Sequence, residues 1–157
     1  MRRAAVVLLV GTLAACGVDS AGPAGPTIAA ELVGTWEASP ACFPACGLTF
    51  VNVASATDTL NFTATPFGYT SRFTLASNGT FTFDAGVPTV SAINGRMRME
   101  GASTLVVEPS AGADEERVTY SLSGGFLSLL WEDTYSFNLD GAGAAETVRV
   151  RGRFEKR

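Results

Sequence analysis

The sequence predicts an all-β domain, an antiparallel up-and-down β-barrel of about eight to ten strands, with a two-sheet β-sandwich as the alternative. Three observations support this fold class. Apolar and polar residues alternate with a period of two, turn residues separate the alternating runs, and no segment shows the apolar period of an amphipathic helix. One apolar face per strand is typical of antiparallel sheets. Closure into a barrel removes the two exposed edges of such a sheet.

The alternating runs follow one another from residue 59 to the C-terminus. Their apolar members, in chain order, are Leu60 and Phe62; Phe73 and Leu75; Phe81 and Phe83; Met97 and Met99; Val118, Tyr120 and Leu122; Tyr135, Phe137 and Leu139; and Val148, Val150 and Phe154. The pair Asn78-Gly79 lies between two of these runs and is a strong signal for a tight hairpin. Further turn residues at Asn94-Gly95, Gly124-Gly125 and Asp140-Gly141 separate later strands.

The N-terminus has the organisation of an export signal. Arg2 and Arg3 are basic, residues 4–13 are mostly apolar but too few to span a bilayer, and small residues precede Cys16. The tetrad Leu-Ala-Ala-Cys, ending at Cys16, resembles the bacterial lipobox, whose cysteine is acylated and becomes the mature N-terminus. This resemblance implies a signal peptide over residues 1–15 and a membrane anchor at Cys16. An ordinary secretory signal is the alternative.

The resemblance to lipoproteins also predicts a location and a domain organisation. A diacylated cysteine anchors a protein stably without a transmembrane helix. Gly17 rather than aspartate follows Cys16, and by similarity to the best-known sorting rule this implies the outer membrane of the cell envelope. Residues 16–30 contain two Gly-Pro steps and are predicted to form a flexible tether. Residues 31–157 are predicted to form the barrel domain.

The charge of the chain argues against nucleic acid as a partner. The 157 residues include 11 basic and 15 acidic ones, and without Arg2 and Arg3 nine basic residues remain, a net charge of −6. A nucleic-acid-binding protein needs a basic face that neutralises phosphates. The basic cluster between Arg149 and Arg157 is interpreted as the outward face of the last strand.

The two cysteines that remain after Cys16 are spaced C-x3-C, at Cys42 and Cys46. In an oxidising compartment so close a pair is expected to form a disulfide. A thiolate site for a metal such as Cu(I), or a redox sensor, is the alternative.

Three segments resemble the lipocalin-like, calycin-type domains of small bacterial lipoproteins. They are Leu32-Val33-Gly34-Thr35-Trp36, residues 73–83 with their strand–turn–strand pattern, and residues 120–129 with a late hairpin. The resemblance implies a lipocalin-like barrel in which Trp36 closes one end. In that family the tryptophan packs under an arginine of the last strand, so Arg151 or Arg153 is expected to lie over Trp36 as a cation–π partner.

The available side chains argue against catalysis. The chain has no histidine, which removes histidine-dependent nucleophilic catalysis and most zinc sites. It also contains no nucleophile elbow, P-loop or dinucleotide fingerprint. Acidic runs such as Asp114-Glu115-Glu116 are interpreted as solvated loops. The sequence therefore predicts a protein that is not an enzyme and has no cofactor or bound metal.

The function predicted from the sequence depends on the residues that should point into the barrel. These are Phe62, Phe73, Phe81, Phe83, Met97, Met99, Tyr120, Trp131, Tyr135 and Phe137. They either fill the interior, as in a small eight-stranded barrel, or line a cavity for a small hydrophobic ligand. The first expectation is a ligand-binding envelope lipoprotein. The alternative is a packed barrel that binds an envelope protein through its surface, as an interaction or inhibitor module.

Overall fold

The computed structural model describes residues 28–88, 91–140 and 143–157. The predicted signal peptide, Cys16 and most of the predicted tether lie outside these residues. The strands are β1 (Gly34–Ala38), β2 (Gly47–Asn52), β3 (Thr59–Asn61), β4 (Ser71–Leu75), β5 (Thr80–Asp84), β6 (Ile93–Glu100), β7 (Thr104–Pro109), β8 (Glu116–Ser123), β9 (Phe126–Phe137) and β10 (Glu146–Lys156). One 3-10 turn, Pro40–Cys42, lies between β1 and β2.

The strands form one closed antiparallel barrel. The hydrogen-bonded order is β1-β4-β5-β6-β7-β8-β9-β10, and β10 pairs back onto β1. Eight strands therefore complete the ring, which confirms the up-and-down barrel and not the sandwich. Closure pairs the strands that would otherwise be the edges of the sheet.

Strands β2 and β3 extend one side of this ring. Both β1 and β2 run antiparallel to β10, with Trp36 opposite Lys156 and Thr49 opposite Arg151. They are thus two halves of a single long strand, separated by the segment 39–46. Strand β3 pairs with β2 and β4 pairs with β1, so the neighbouring strand is interrupted as well, over residues 62–70.

The hairpin predicted at Asn78-Gly79 is present between β4 and β5. Gly79 has a φ of +82°, and a side chain there would collide with the carbonyl oxygen of Met97. The Asn78 side chain accepts a hydrogen bond from the Thr80 amide at 3.0 Å. The local chemistry of these residues therefore fixes the register of the first hairpin.

The last strand divides its side chains between the interior and the outside. Val148, Val150 and Phe154 are buried, whereas the arginines at alternate positions between them are exposed. Phe154 is 0 % exposed and lies in the main hydrophobic core. Gly152 occupies an inward position without a side chain, and the ring of Phe154 lies against it.

The N-terminal boundary of the folded domain differs from the prediction. Ile28 is only 3 % exposed and belongs to the core with Leu32 and Trp36. It closes one end of the barrel near Gly79. The packed core therefore includes Ile28, which lies within the stretch predicted as tether. The sequence did not reveal its burial, because a single isoleucine among alanine, glycine and proline residues has no period.

Replacing Gly152 by alanine is expected to lower the free energy of unfolding by about 1–3 kcal/mol, because the added Cβ would overlap the Phe154 ring and force it to move. The urea midpoint of the variant measures this loss. Gly143→Ala is the matched control, since its Cβ would meet the Asp140 side chain at an ordinary 3.6 Å. Equal midpoints for Gly152→Ala and the wild type would show that the strand does not need a glycine here.

Candidate functional site

The ten residues predicted to point into the barrel all belong to its hydrophobic core. Phe73, Phe81 and Met97 are buried in the larger cluster, which Met99 and Tyr120 flank. Phe62 is buried in a second cluster that Tyr135 and Phe137 flank. Phe83 and Trp131 contact both clusters and join them. The alternation in sequence therefore identified the inward face correctly.

These side chains fill the interior. The ring centroids of Phe83 and Trp131 are 5.7 Å apart, and those of Phe83 and Phe154 are 6.4 Å apart. At the other end of the barrel, Phe50 packs edge-on against Phe62 at 5.0 Å. Two recesses among the described residues lie on the outer surface. The packing of these rings favours the filled interior over the cavity, and ligand binding by the interior stays a prediction.

The two tyrosines among the residues predicted to point inward form hydrogen bonds within the protein itself. The Tyr135 hydroxyl donates to the Glu116 carboxylate at 2.9 Å, and burial together with this bond raises its pKa. The Tyr120 hydroxyl donates to the carbonyl oxygen of Ala102 at 3.0 Å. Both hydroxyl protons are therefore already used within the fold.

Trp36 closes the barrel as expected, but the cation over its ring is not an arginine. The indole N–H donates to the carbonyl oxygen of Leu32 at 2.9 Å, and the Lys156 Nζ lies 5.2 Å from the ring centroid. The prediction of Arg151 or Arg153 was wrong because these residues have the outward parity of β10. Lys156 has the inward parity and is directly opposite Trp36.

The disulfide predicted between Cys42 and Cys46 is present. It closes the segment that interrupts the first long strand, and its Cα atoms are 5.6 Å apart. The amide of Ser39 donates to the Cys42 Sγ at 3.4 Å. Because the two sulfur atoms are bonded to each other, the structure favours the structural staple over the thiolate metal site.

A recess of about 730 Å³ lies on the outer face of β8, β9, β10 and β2. We call it the arginine groove, because the outward side chains of Arg149, Arg151 and Arg153 line it. Pro44 and Ala45 of the disulfide segment border it, and Val53 borders it from the connection between β2 and β3. Among the described residues, no acidic side chain lines it.

The outward residues of the groove form rows across the strands. In one row, Arg153 lies between Gly47 of β2 and Ser128 of β9, and Ser128 faces Ser121 of β8. In the next, Arg151 lies between Thr49 and Leu130, and Leu130 faces Thr119. Arg149 begins a third row opposite Val51. The groove thus combines guanidinium groups, hydroxyls and an apolar strip.

The arginines of the groove differ electrostatically from others on the barrel. Arg72 and Arg157 both form ion pairs with the Glu37 carboxylate. Their hydrogen bonds lower the pKa of Glu37, and the one from Arg157 has the larger effect. Arg98 and Arg117 also form ion pairs with acidic residues. Within the described residues, by contrast, none of the three arginines of the groove forms an ion pair. The guanidinium of Arg153 stacks over the Phe126 ring, 4.5 Å from its centroid.

The sequence revealed only part of this groove. Alternation with Val148 and Val150 placed the three arginines on the outward face of one strand. The hydroxyl residues of β2, β8 and β9 carried no signal of their own, because they become neighbours only through the barrel's pairing. Their recognition as one site required the topology.

Residues 28–88, 91–140 and 143–157 include no helix with the length and apolarity of a membrane span. Nor do these residues bring three or more histidine, cysteine, aspartate or glutamate side chains together for a metal ion.

No protein-family model matches this chain, and neither a curated protein nor a solved structure does. The resemblance to lipocalin-like lipoproteins stays a prediction. Function therefore has to be argued from the geometry and chemistry of the sites themselves.

Replacing Cys42 and Cys46 together by serine is expected to lower the free energy of unfolding by about 2 kcal/mol, because the disulfide removes chain entropy from the unfolded state by closing a short loop. Urea titration measures the difference. Wild-type protein unfolded under reducing conditions should show the same loss. Identical midpoints for oxidised wild type and the double variant would contradict the role of the disulfide as a staple.

Proposed function

We propose that this protein is a lipid-anchored lipoprotein of the bacterial cell envelope whose packed barrel binds a partner through its outer surface. The observation that carries the proposal is the contrast between the two faces of the barrel wall. Inward side chains fill the interior, and outward arginines line a recess without acidic partners. The barrel is therefore a rigid support for a surface site rather than a container.

The filled interior supports this choice over a carrier of small apolar molecules. An eight-stranded barrel is just wide enough for its own side chains. Phe73, Leu105 and Phe154 are each at most 1 % exposed, and Trp131 bridges the two core clusters. An interior ligand would have to displace such residues and lose their packing, which typically contributes several kcal/mol for each large side chain.

The proposed anchor is compatible with access to the arginine groove. Ile28, the first described residue, packs at the end of the barrel that Trp36 closes. The groove lies along the side wall of the barrel. The C-terminal part of β10 pairs with β1, which carries Trp36, so Arg149 is the groove arginine farthest from the end that Trp36 closes.

The anchor is tested by replacing Cys16 with serine in the full-length chain. Incorporation of labelled fatty acid, measured on the purified protein, is expected for the wild type and lost in Cys16→Ser, because acylation needs the thiol of that cysteine. Cys42→Ser with Cys46→Ser is the matched control and should retain the label. Label in the Cys16→Ser variant would place the lipid elsewhere, and an unlabelled wild type would contradict the lipoprotein proposal.

The packed interior is tested by native mass spectrometry of the full chain, extracted from bacterial membranes in detergent. The expected spectrum shows the acylated chain without a retained apolar molecule, because the side chains leave no room for one. A stoichiometric extra mass that is released only on unfolding would contradict the proposal and identify the barrel as a carrier.

A further inference from the structure

We propose that the arginine groove binds an acidic saccharide, a glycan that carries carboxylate or phosphate groups. This inference rests on the proposed function in one respect, that the outer wall and not the interior holds the ligand. The ligand class follows from the side chains that the barrel brings together in the groove.

The first argument is charge. Among the described residues, the guanidinium groups of Arg149 and Arg151 have no ion-pair or hydrogen-bond partner, and no acidic side chain lines the groove. Two carboxylates bond to residues of the groove: Glu132 accepts from Thr119 at 3.0 Å and Asp58 accepts from Asn52 at 3.0 Å. Guanidinium groups bind carboxylate and phosphate groups through paired charge-assisted hydrogen bonds. The groove therefore selects for an anion.

The second argument is the spacing of the positive charges. The three arginines alternate along one strand, so consecutive members are roughly 7 Å apart at their Cα atoms. On the β2 side the pairing is regular from Val148 to Arg153, which holds the row in place, whereas on the β9 side the register shifts between Arg149 and Arg151. Such a row matches a ligand with several acidic groups better than a single small ion.

The third argument is the set of uncharged side chains beside the arginines. Ser121 and Ser128 face each other across β8 and β9, and their hydroxyls have no hydrogen-bond partner among the described residues. Thr49 accepts a hydrogen bond from Asn61 at 3.2 Å, which leaves its own hydroxyl proton free to donate. These groups complement the hydroxyls of a sugar. Leu130, 37 % exposed, offers an apolar surface for the C–H face of a sugar ring.

Two other anionic partners fit the groove less well. An acidic peptide could not add a strand beside the arginines, because both edges of β10 are already paired with β9 and β2. Its backbone groups would then depend on side chains for hydrogen bonds. A flat anionic membrane surface would not enter a recess that the segments around Pro44 and Val53 border.

The test is calorimetric titration of the full acylated chain, in non-ionic detergent, with defined probes. The saccharide probes are tetragalacturonate, and lipopolysaccharide micelles as a lipid-linked phosphorylated source. Neutral maltotetraose, tetraglutamate with the same number of side-chain carboxylates, and mixed micelles of phosphatidylglycerol in the same detergent are the comparisons. The variants are Arg151→Gln, the triple change of Arg149, Arg151 and Arg153 to glutamine, and the matched control Arg96→Gln. Arg96 is exposed on β6 and lies outside the groove. Like the arginines of the groove, it forms no ion pair among the described residues.

We expect at least one acidic saccharide to bind. Arg151→Gln should weaken it about tenfold, the loss typical of a hydrogen bond to a charged group, and the triple variant should weaken it further. Arg96→Gln should bind like the wild type, and added salt should weaken binding, because exposed charges are screened. A larger loss of lipopolysaccharide binding than of tetragalacturonate binding in the triple variant would assign the saccharide to a lipid-linked source, and the reverse to a free glycan.

Several results would overturn the proposal. They are no binding of either acidic saccharide, equal binding of maltotetraose, an equal loss in Arg96→Gln and Arg151→Gln, or tighter binding of tetraglutamate. Binding of the phospholipid micelles that the triple variant weakens as much as saccharide binding would overturn it as well, whereas binding through the lipid anchor does not depend on the arginines. Matching thermal melts of all variants would confirm that the arginine changes leave the fold intact. The outcome is separable from that of the proposed function. An apolar molecule retained by wild type and triple variant alike would contradict the packed interior, whereas absent saccharide binding contradicts only the groove.

Discussion

The structure depends on the pairing of β10 along both of its sides. Its N-terminal part pairs with β2 and its last residues pair with β1, while β9 pairs with it from the other side. Because side chains alternate across a strand, this fixed register separates two chemically different rows. Val148, Val150 and Phe154 enter the core, and the three arginines between them face outward. The packed interior and the arginine groove are thus two consequences of one strand.

This division explains why the interior and the outer wall serve different purposes. Closing eight strands leaves a narrow space, which aromatic and aliphatic side chains occupy. Trp36 then closes one end beneath Lys156, which follows the same inward parity as Phe154. The outer wall has no such demand for packing, so its residues are free to carry charge. Ion pairs neutralise Arg72, Arg98 and Arg117, but not the arginines of the groove.

Periodicity alone predicted the barrel and the residues that fill it, because one buried face per strand leaves a mark at every second position. The same alternation contradicts the expectation of Arg151 or Arg153 over Trp36, which came from a family resemblance and ignored the parity of the strand. Ile28 was missed because burial of one residue has no period. The groove was missed because β2 and β10, about 100 residues apart in the chain, become neighbours only through the closure of the sheet.

The central claim, that ligands meet the outer wall while the interior is solid, is tested most directly by NMR. One isotope-labelled sample of the full chain is titrated with tetragalacturonate while arginine Nε–Hε and methyl signals are recorded together. The account predicts that the signals of Arg149 and Arg151 shift and that the methyl signals of Leu105, Val118 and Leu127, which are at most 1 % exposed, stay in place. Shifts of those buried methyl signals with unchanged arginine signals would contradict it.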